Sequence, residues 1–514
     1  MNMRDLVLPL GLAFVSMIAL NYFFPSRTTH NDAAESSFIA PKEKKEYKPL
    51  NIEVDFYDHK NHAQISLTEC DTEWAYLTFS TDGASLDSID FKRESNGKME
   101  TIRTIFPLAD TDRHNRCFLV ALQDATPFDY SLIVAQESEH AYELLYVGGN
   151  DKWVIQKRFD IDKKRPKIDL SIEVAPKNGH VTKVEPRVFF PVPYMPDLKE
   201  TDVISSIVID QNNAFTKKYL NQLDLHRGWF SPEMFGTDNR YFINAMINDP
   251  QDFVQRAYYK LEDRTNLISV LEGPTVTEKT AWTLSFYFGP KDLNSIAAVD
   301  TRLEKTLDYS GMLSFLAKIM LHVLNWLYKY VHNYGLAIIL LTLLIQILLL
   351  PLSLRNNEEK FRRQQMEYQR ELVYIEQRHA GNPERLLAER TELIRKKGLP
   401  GLGCLLPLLL QIPIFFALSR VLSSSFELYK APMLWIPDLS AKDPYYILPL
   451  LIICTTLLMQ DTRGDAQQRM TKIVMAVVFG VISATFSAGL TLYICMSRVF
   501  GFIQTKVMDY FKLV

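Results

Sequence analysis

The sequence predicts a polytopic α-helical membrane protein with six spans, a large external all-β sandwich domain and a cytoplasmic helical hairpin. Three observations predict this fold class. Uncharged apolar runs long enough to cross a bilayer, about 17–25 residues, occur at Leu6–Phe24 and repeatedly after residue 335. The residues from 25 to 310 are mixed and polar, with strand-like alternation. Lys and Arg are concentrated in alternate late loops, as in proteins that obey the positive-inside rule.

Composition excludes several function classes. The chain has 514 residues, a formal charge of -3 and five cysteines. A nearly neutral chain lacks the basic face of a nucleic-acid binder, and five scattered cysteines make neither a disulfide scaffold nor a zinc site. The catalytic motifs Gly-x-Ser-x-Gly, His-Glu-x-x-His and Cys-x-x-Cys are missing. We therefore predict no catalytic residues, no metal and no cofactor.

The first apolar run predicts an N-terminal transmembrane anchor at residues 1–24. A cleaved signal peptide is the alternative, but the run of 19 residues from Leu6 to Phe24 is longer than a usual signal-peptide core. Residues 25–49 are rich in Ser, Thr, Lys, Glu and Pro and predict a flexible linker.

Residues 50–310 predict the external β-sandwich. Residues Ile168–Val174 alternate apolar and polar side chains, as a half-buried strand does, and turn signals such as Asn178-Gly179 recur along the segment. Cys70 and Cys117 lie in this domain, where they either form a disulfide or remain two buried thiols. Residues 311–332 carry one apolar and one polar face and predict an amphipathic helix. It lies either along the outer membrane interface or against the sandwich.

The five-span core is predicted at 333–514, with spans at about 335–354, 400–422, 444–460, 472–486 and 489–505. The last two come from one run, Ile473–Thr505, in which only Arg498 is charged. As one helix it would be about 50 Å long, against a hydrocarbon core of about 30 Å. A turn at Ser487–Gly489 divides it into two short spans of roughly 23 Å, which imply a locally thinned bilayer.

The loop charges predict the orientation. Residues 355–397 hold 11 Lys and Arg against 8 Asp and Glu, so this loop faces the cytoplasm. With six spans both termini are then cytoplasmic. The same loop shows helical periodicity on both sides of Ala380–Pro383, which predicts a helical hairpin at 355–398 that is either a structural spacer or a contact surface.

Polar residues inside apolar spans are costly and are candidates for function. The predicted spans contain eleven such residues: Thr342, Gln346, Gln411, Arg420, Thr455, Thr456, Gln460, Ser483, Thr485, Thr491 and Arg498. For the uncharged ones, hydrogen bonding that merely holds the helices together is the alternative. Arg420 lies close enough to the outer end of its span to extend to the surface. Arg498 is central and should face water or a partner.

The late segments resemble the YidC family of bacterial membrane protein insertases. Residues Trp435–Pro449 are similar to its external loop and fourth span, Gly403–Phe415 to its third span and Ser487–Tyr493 to its final turn. The domain order resembles the Gram-negative form, whose external domain is periplasmic. The resemblance implies an inner-membrane insertase and chaperone without covalent chemistry. Its partners would be nascent inner-membrane proteins, membrane lipids, the Sec translocon and the ribosome, with no direct contact to nucleic acid.

The resemblance also implies a hydrophilic groove, in which this sequence departs from the family pattern. Gln346 stands where the family has an arginine, and Ile494 replaces the tyrosine that follows Tyr493. We hypothesise that Arg498, one turn beyond Ile494, replaces the groove charge and has Gln346 as its hydrogen-bonding neighbour. The predicted groove residues are therefore Thr342, Gln346, Gln411, Arg420, Tyr493, Ile494 and Arg498.

Two other functions remain open from the sequence. One is a transporter or channel with an external sensor domain, although no inverted repeat is visible. The other is an envelope protein that binds or modifies glycans through the β-sandwich.

Overall fold

The computed structural model describes residues 65–95, 98–105, 117–122, 129–149, 152–177, 183–194, 204–261, 266–307, 314–355, 358–379, 383–397, 402–458 and 466–511. The predicted anchor at 1–24 and the predicted linker at 25–49 lie outside these ranges. The contacts divide the chain near residue 308 into an all-β unit and a helical unit.

The all-β unit consists of strands of three to eleven residues. In chain order they are β1 (Leu67–Asp71), β2 (Ala75–Ser80), β3 (Ser85–Ser95), β4 (Lys98–Ile105), β5 (Leu119–Ala121), β6 (Tyr130–Glu137), β7 (Ala141–Gly149), β8 (Trp153–Asp162), β9 (Lys167–Pro176), β10 (Arg187–Pro191), β11 (Ser205–Ile209), β12 (Phe215–Tyr219), β13 (Gly228–Phe230), β14 (Met234–Asp238), β15 (Phe242–Asn248), β16 (Arg256–Leu261), β17 (Leu267–Glu272) and β18 (Thr280–Pro290).

These strands form three antiparallel sheets. The first has the order β1-β2-β3-β4, the second β13-β16-β17-β10-β5, and the third β12-β11-β14-β15-β18-β9-β8-β7-β6. A short helix, α1 (Leu293–Val299), and a 3₁₀ helix at Thr301–Thr306 follow the last strand. Asp292 begins α1, because its carboxylate accepts hydrogen bonds from the amides of Asn294 and Ser295. The prediction of a large all-β domain is confirmed.

Alternating side chains explain why the sheets pack face to face. On β9, the predicted alternating strand, Ile168, Leu170, Ile172 and Val174 are fully buried, and the residues between them are half-buried. Aromatic rings from all three sheets meet in the core: Phe79 with Phe159, Phe118 with Phe286, and Phe190 with Phe286 have ring centroids 4.9, 4.9 and 5.6 Å apart. Such pairs add about 0.5–1.5 kcal/mol each beyond the area they bury.

The strand register decides between the two alternatives for Cys70 and Cys117. Cys70 on β1 pairs with Leu77 on β2, whereas Cys117 forms a bridge with Leu86 on β3. β2 and β3 therefore lie between the two cysteines, which puts them about 14 Å apart at ~4.8 Å per strand. A disulfide needs Cα atoms within about 7 Å. Both cysteines are buried free thiols, and burial raises the pKa of the Cys70 thiol to about 12.

The helical unit contains eight helices among the described residues. In chain order they are α2 (Ser314–Val331), α3 (Tyr334–Arg355), α4 (Glu358–Arg378), α5 (Pro383–Lys397), α6 (Leu402–Ser424), α7 (Ile447–Leu458), α8 (Ala466–Ser483) and α9 (Ala488–Phe511). No helix in the described part of the chain is both long enough and apolar enough to cross a membrane. The six-span count stays a prediction.

Helix α2 lies where the amphipathic helix is predicted. Ala317, Leu321, Leu324 and Leu327 are buried, and α2 packs against α3 and α6. The remaining surface of α2 is less polar than the sequence predicts, because it exposes aromatic side chains as well. These are Phe315, Trp326 and Tyr330.

The last two helices are longer than the sequence predicts. The turn lies at residues 484–487, and α8 and α9 have 18 and 24 residues, or about 27 and 36 Å. The length of roughly 23 Å refers to the uncharged run of each span and stays a prediction. The helices continue through Lys472 and Lys506 into charged sequence.

Helices α4 and α5 pack against each other, where the hairpin is predicted. Arg390 of α5 forms an ion pair with Glu376 of α4, and His379 Nε2 lies 3.1 Å from Glu389 Oε1. The residues that join the two helices, 380–382, lie outside the described ranges.

Candidate functional site

Helix α9 is the centre of the candidate site, because it packs against α3, α6 and α7. Tyr493 and Ser497 are four residues apart and therefore share one side of α9. Each of the two side chains meets an amide from a different neighbouring helix. The polar groups of this site thus come from three helices that are far apart in sequence.

The first of these contacts joins α3 to α9. Gln346 Nε2 donates a hydrogen bond of 2.7 Å to Ser497 Oγ, and both side chains are half-buried. The sequence predicts Gln346 as the neighbour of Arg498, and this is wrong by one residue. Ser497 and Arg498 project about 100° apart around the helix, and α3 lies on the Ser497 side.

The second contact joins α6 to α9. Gln411 Nε2 donates a hydrogen bond to the hydroxyl of Tyr493, which is almost completely buried. A buried hydroxyl without a partner costs about 1–3 kcal/mol. The two glutamines therefore fix how α9 is rotated against α3 and α6.

Several threonine and serine hydroxyls of the helical unit donate to carbonyls close to them in sequence. The Thr342 hydroxyl donates to the carbonyl of Ile338 at 2.7 Å, one turn from Gln346 on α3. Thr455, Thr456, Ser483 and Thr485 donate to nearby carbonyls in the same way. Among these hydroxyls, that of Thr491 on α9 makes the kind of bond between helices that the alternative interpretation describes, because it donates to the carbonyl of Ser483 on α8 at 3.1 Å. Gln460 lies outside the described residues.

Arg498 faces a different helix from the two glutamines. Its guanidinium carbon lies 5.2 Å from the ring centroid of Phe479 on α8, a cation–π distance worth about 0.5–2 kcal/mol. The side chain is half-buried, and none of the described carboxylates forms an ion pair with it. Gln346 on α3 contacts Ser497, the residue before Arg498. Gln346 and Arg498 therefore lie at the same level along the axis of α9, as the sequence predicts.

The remaining predicted residues, Ile494 and Arg420, lie on α9 and α6. Ile494 is buried. Arg420 is half-buried near the end of α6, where the Ser424 hydroxyl donates to its carbonyl at 2.6 Å. Sequence reasoning missed Ser497 and Phe479. The spacing of four from Tyr493 to Ser497 could have indicated the first, but no sequence signal indicates Phe479.

The loop at residues 425–446, between α6 and α7, covers the start of α9. The amides of Ala488 and Gly489 donate to the carbonyls of Ala441 and Leu439 at 2.6 and 2.8 Å. The first amides of a helix have no partner within the helix, so this loop supplies acceptors to two of them. It thereby fixes the end of the helix that carries the site.

Two family profiles match this chain. The profile described as "YidC periplasmic domain" matches residues 68–323, and "60Kd inner membrane protein" matches residues 326–513. Together they cover both units. The chain belongs to the YidC family. Its candidate site, from Thr342 to Arg498, lies wholly within the second match.

Relatives and one solved structure match this chain over part of their length. A protein named membrane protein insertase YidC from Geobacter metallireducens is 31% identical over 62% of this chain and 60% of its own length. Another of that name, from an Anaeromyxobacter species, is 28% identical over 73% of this chain and 70% of its own. A crystal structure titled as an active YidC insertase covers 85% of this chain and 92% of that one, at 16% identity and a TM-score of 0.34. The chain thus spans about three fifths of the Geobacter relative.

Proposed function

We propose that this chain is a membrane protein insertase and chaperone of the bacterial inner membrane, without covalent chemistry. The observation that carries the proposal is the row of polar side chains on α9 within the stretch matched to the inner-membrane family: Gln346 with Ser497, and Gln411 with Tyr493. A wet, polar path between helices lowers the cost of moving polar backbone across hydrocarbon.

In this proposal the polar tail of a substrate enters beside α9, while its apolar segment stays in contact with lipid. Arg498 supplies the positive charge that attracts an acidic tail. Two observations support this role: the guanidinium contacts a ring rather than a described carboxylate, and it lies at the level of Gln346. Thr342, Arg420 and Ile494 complete the proposed groove as neighbours on the same helices.

We further propose that both termini and the α4–α5 hairpin face the cytoplasm, and that the all-β unit is periplasmic. The Sec translocon and the ribosome are proposed partners. The excess of Lys and Arg over Asp and Glu at residues 355–397 supports the cytoplasmic placement of the hairpin.

The test is insertion by the purified full chain in liposomes. A short single-span substrate with an acidic tail is added, and the protease-protected fraction is compared for wild type, Arg498→Ala and Arg498→Lys. A hydrogen bond to a charged group contributes about 1.5–3 kcal/mol, so we expect the alanine variant to lose roughly ten- to hundredfold in rate and the lysine variant to retain most of it.

A second substrate with a neutral tail is the matched control, because its insertion should be equal in all three proteins. Equal protection of the acidic substrate by wild type and Arg498→Ala would remove Arg498 from the mechanism. Protection no higher than in empty liposomes would contradict the insertase function itself.

A further inference from the structure

The 425–446 loop holds three exposed residues in the left-handed backbone conformation. Lys430, Leu434 and Tyr446 have φ values of 52°, 51° and 55°. This conformation costs an L-residue other than Gly, Asn or Asp about 1–2 kcal/mol. All three side chains are exposed, and the ammonium of Lys430 lies 5.4 Å from the ring centroid of Tyr429. Backbone strain at exposed positions is a reason to look for a function.

Hydrogen bonds fix the position of the exposed side chains. Met433 and Ile436 exchange backbone hydrogen bonds of 2.8 and 2.9 Å across the tight turn that presents Leu434. Trp435 Nε1 donates to Asp443 Oδ1 at 3.2 Å, and Asp443 Oδ2 accepts from the amide of Leu448 in α7. The turn is therefore held rigidly at the end of the bundle where α7 begins.

The exposed surface of this loop is apolar. Leu434 is 82% exposed, the highest value among the large apolar side chains of the described residues, and Tyr445 and Tyr446 are 69% and 57% exposed. Leu450 and Leu451, directly after them on α7, are exposed as well. The apolar surface thus continues from the loop along the side of a helix.

The exposed charges of the loop are positive. Lys430 and Lys442 are exposed, whereas Asp443 is buried and Asp438 and Glu427 are half-buried. The two aspartates accept hydrogen bonds from within the loop and the start of α7. Solvent therefore meets lysine and apolar side chains together, a combination that complements an anionic phospholipid surface.

We propose that the 425–446 loop is a phospholipid-binding anchor. Leu434, Tyr445 and Tyr446 enter the interfacial region of the bilayer, and Lys430 and Lys442 contact lipid phosphates. Tyr is typical of membrane interfaces, and the continuity with the exposed side of α7 favours lipid over a protein partner. The inference rests on the proposed membrane location but not on insertion activity.

The first test uses the full chain in liposomes that contain a phospholipid with a tagged acyl chain. A photo-crosslinking amino acid, p-benzoylphenylalanine, replaces Leu434 in one protein and Asn212, an exposed turn residue of the all-β unit, in the control. We expect lipid adducts at position 434 to exceed those at position 212 by about tenfold, the factor for ~1.4 kcal/mol of preference. Equal adducts, or a discrete protein adduct in native membranes in place of lipid, would overturn the proposal.

The second test examines the lysines. Each lysine near an anionic surface contributes about 1 kcal/mol, or roughly fivefold. Lipid adducts at position 434 should therefore increase when phosphatidylglycerol is mixed into phosphatidylcholine vesicles. The Lys430→Gln and Lys442→Gln double variant should lose this increase. An unchanged increase would contradict the proposed contacts between these lysines and lipid phosphates.

Insertion of the acidic-tailed substrate is measured in the same vesicles, so that failure of the proposed lipid anchor can be distinguished from failure of the proposed insertase function. Insertion without lipid adducts at position 434 would contradict the anchor alone. Lipid adducts without insertion would contradict the insertase function alone. The variant Leu434→Gly provides an independent check of folding, because glycine relieves the left-handed strain and should leave the melting temperature in detergent unchanged or higher.

Discussion

Two glutamine side chains of the helical unit reach across to a neighbouring helix. Gln346 and Gln411 bond to Ser497 and Tyr493 on α9, whereas Thr342 bonds to a carbonyl of its own helix. A threonine hydroxyl is satisfied by the turn before it wherever the helix goes. Each of these two glutamine amides has its partner on a second helix, so the glutamines carry the information about packing.

The contact between Gln346 and Ser497 should appear as a coupling energy. We expect a double-mutant cycle of Gln346→Leu and Ser497→Ala to give about 0.6 kcal/mol, the average for hydrogen bonds between membrane helices, with an upper bound of about 1.7. The free energy of unfolding in mixed micelles is the measurement. The matched cycle of Thr342→Val and Ser497→Ala should give no coupling, and equal coupling in both cycles would contradict the assigned contact.

Lys157 shows a similar dependence on precise partners in the all-β unit. This lysine of β8 is fully buried, and its ammonium donates hydrogen bonds to the carbonyls of Gly83, Ala84 and Phe118 at 2.6, 3.2 and 2.7 Å. Replacement by Met would leave these acceptors unsatisfied, at about 1–3 kcal/mol. We expect Lys157→Met to reduce hydrogen-exchange protection of residues 79–91 and 117–122 in the full chain by that amount.

The control for Lys157 is Lys167→Met on the neighbouring strand, where the half-exposed ammonium pairs with Asp169 at 2.7 Å and the expected loss is about 0.5 kcal/mol or less.

The hydrogen-exchange protection around Lys157 should also depend on pH. Burial lowers the pKa of Lys157 well below its usual value, so the unfolded chain binds more protons between the lowered pKa and about 10.4. Protection should therefore increase with pH in that window for wild type, and a flat profile would contradict the lowered pKa of Lys157.

At the scale of elements, α7 and α8 pack closely at a glycine. A Cβ on Gly480 would collide with the side chain of Ile453, so a small residue at position 480 permits the close approach of the two helices. We expect Gly480→Ala to cost about 1–3 kcal/mol through overpacking, measured as a lower melting temperature in detergent. Adding Ile453→Ala should recover part of that loss, and a double variant less stable than Gly480→Ala would contradict the contact.

The elements themselves could be predicted far better than their contacts. Alternation at Ile168–Val174 predicted β9, and the uncharged runs predicted the positions of α3, α6 and α7, because both patterns are local in sequence. The ends of α8 and α9 were missed because a helix continues past its uncharged run. The partner of Gln346 was missed by one residue because the rotation of α9 depends on α3, α6 and α7 together, and no single segment encodes it.

At the scale of the whole molecule, the candidate site and the lipid anchor both belong to the helical unit, which begins after residue 308. The all-β unit contributes none of the proposed groove residues. The charge pattern then gives a direct prediction of how the helical unit is oriented. Residues 355–397 hold more Lys and Arg than Asp and Glu, whereas the 425–446 loop exposes only two lysines, so these segments should lie on opposite sides of the membrane.

Reporter fusions test this orientation in cells. Alkaline phosphatase is active only outside the cytoplasm, and green fluorescent protein exported through the Sec pathway is dark. We expect a fusion after residue 440 to be active as phosphatase and dark as fluorescent protein, because the positive-inside rule retains the basic 355–397 segment in the cytoplasm. A fusion after residue 380 should show the reverse. The same activities at both fusion sites would contradict a membrane crossing between residues 380 and 440. That result would also contradict the proposed groove, because a substrate tail that enters beside α9 from the cytoplasm requires the hairpin and the 425–446 loop to lie on opposite sides of the membrane.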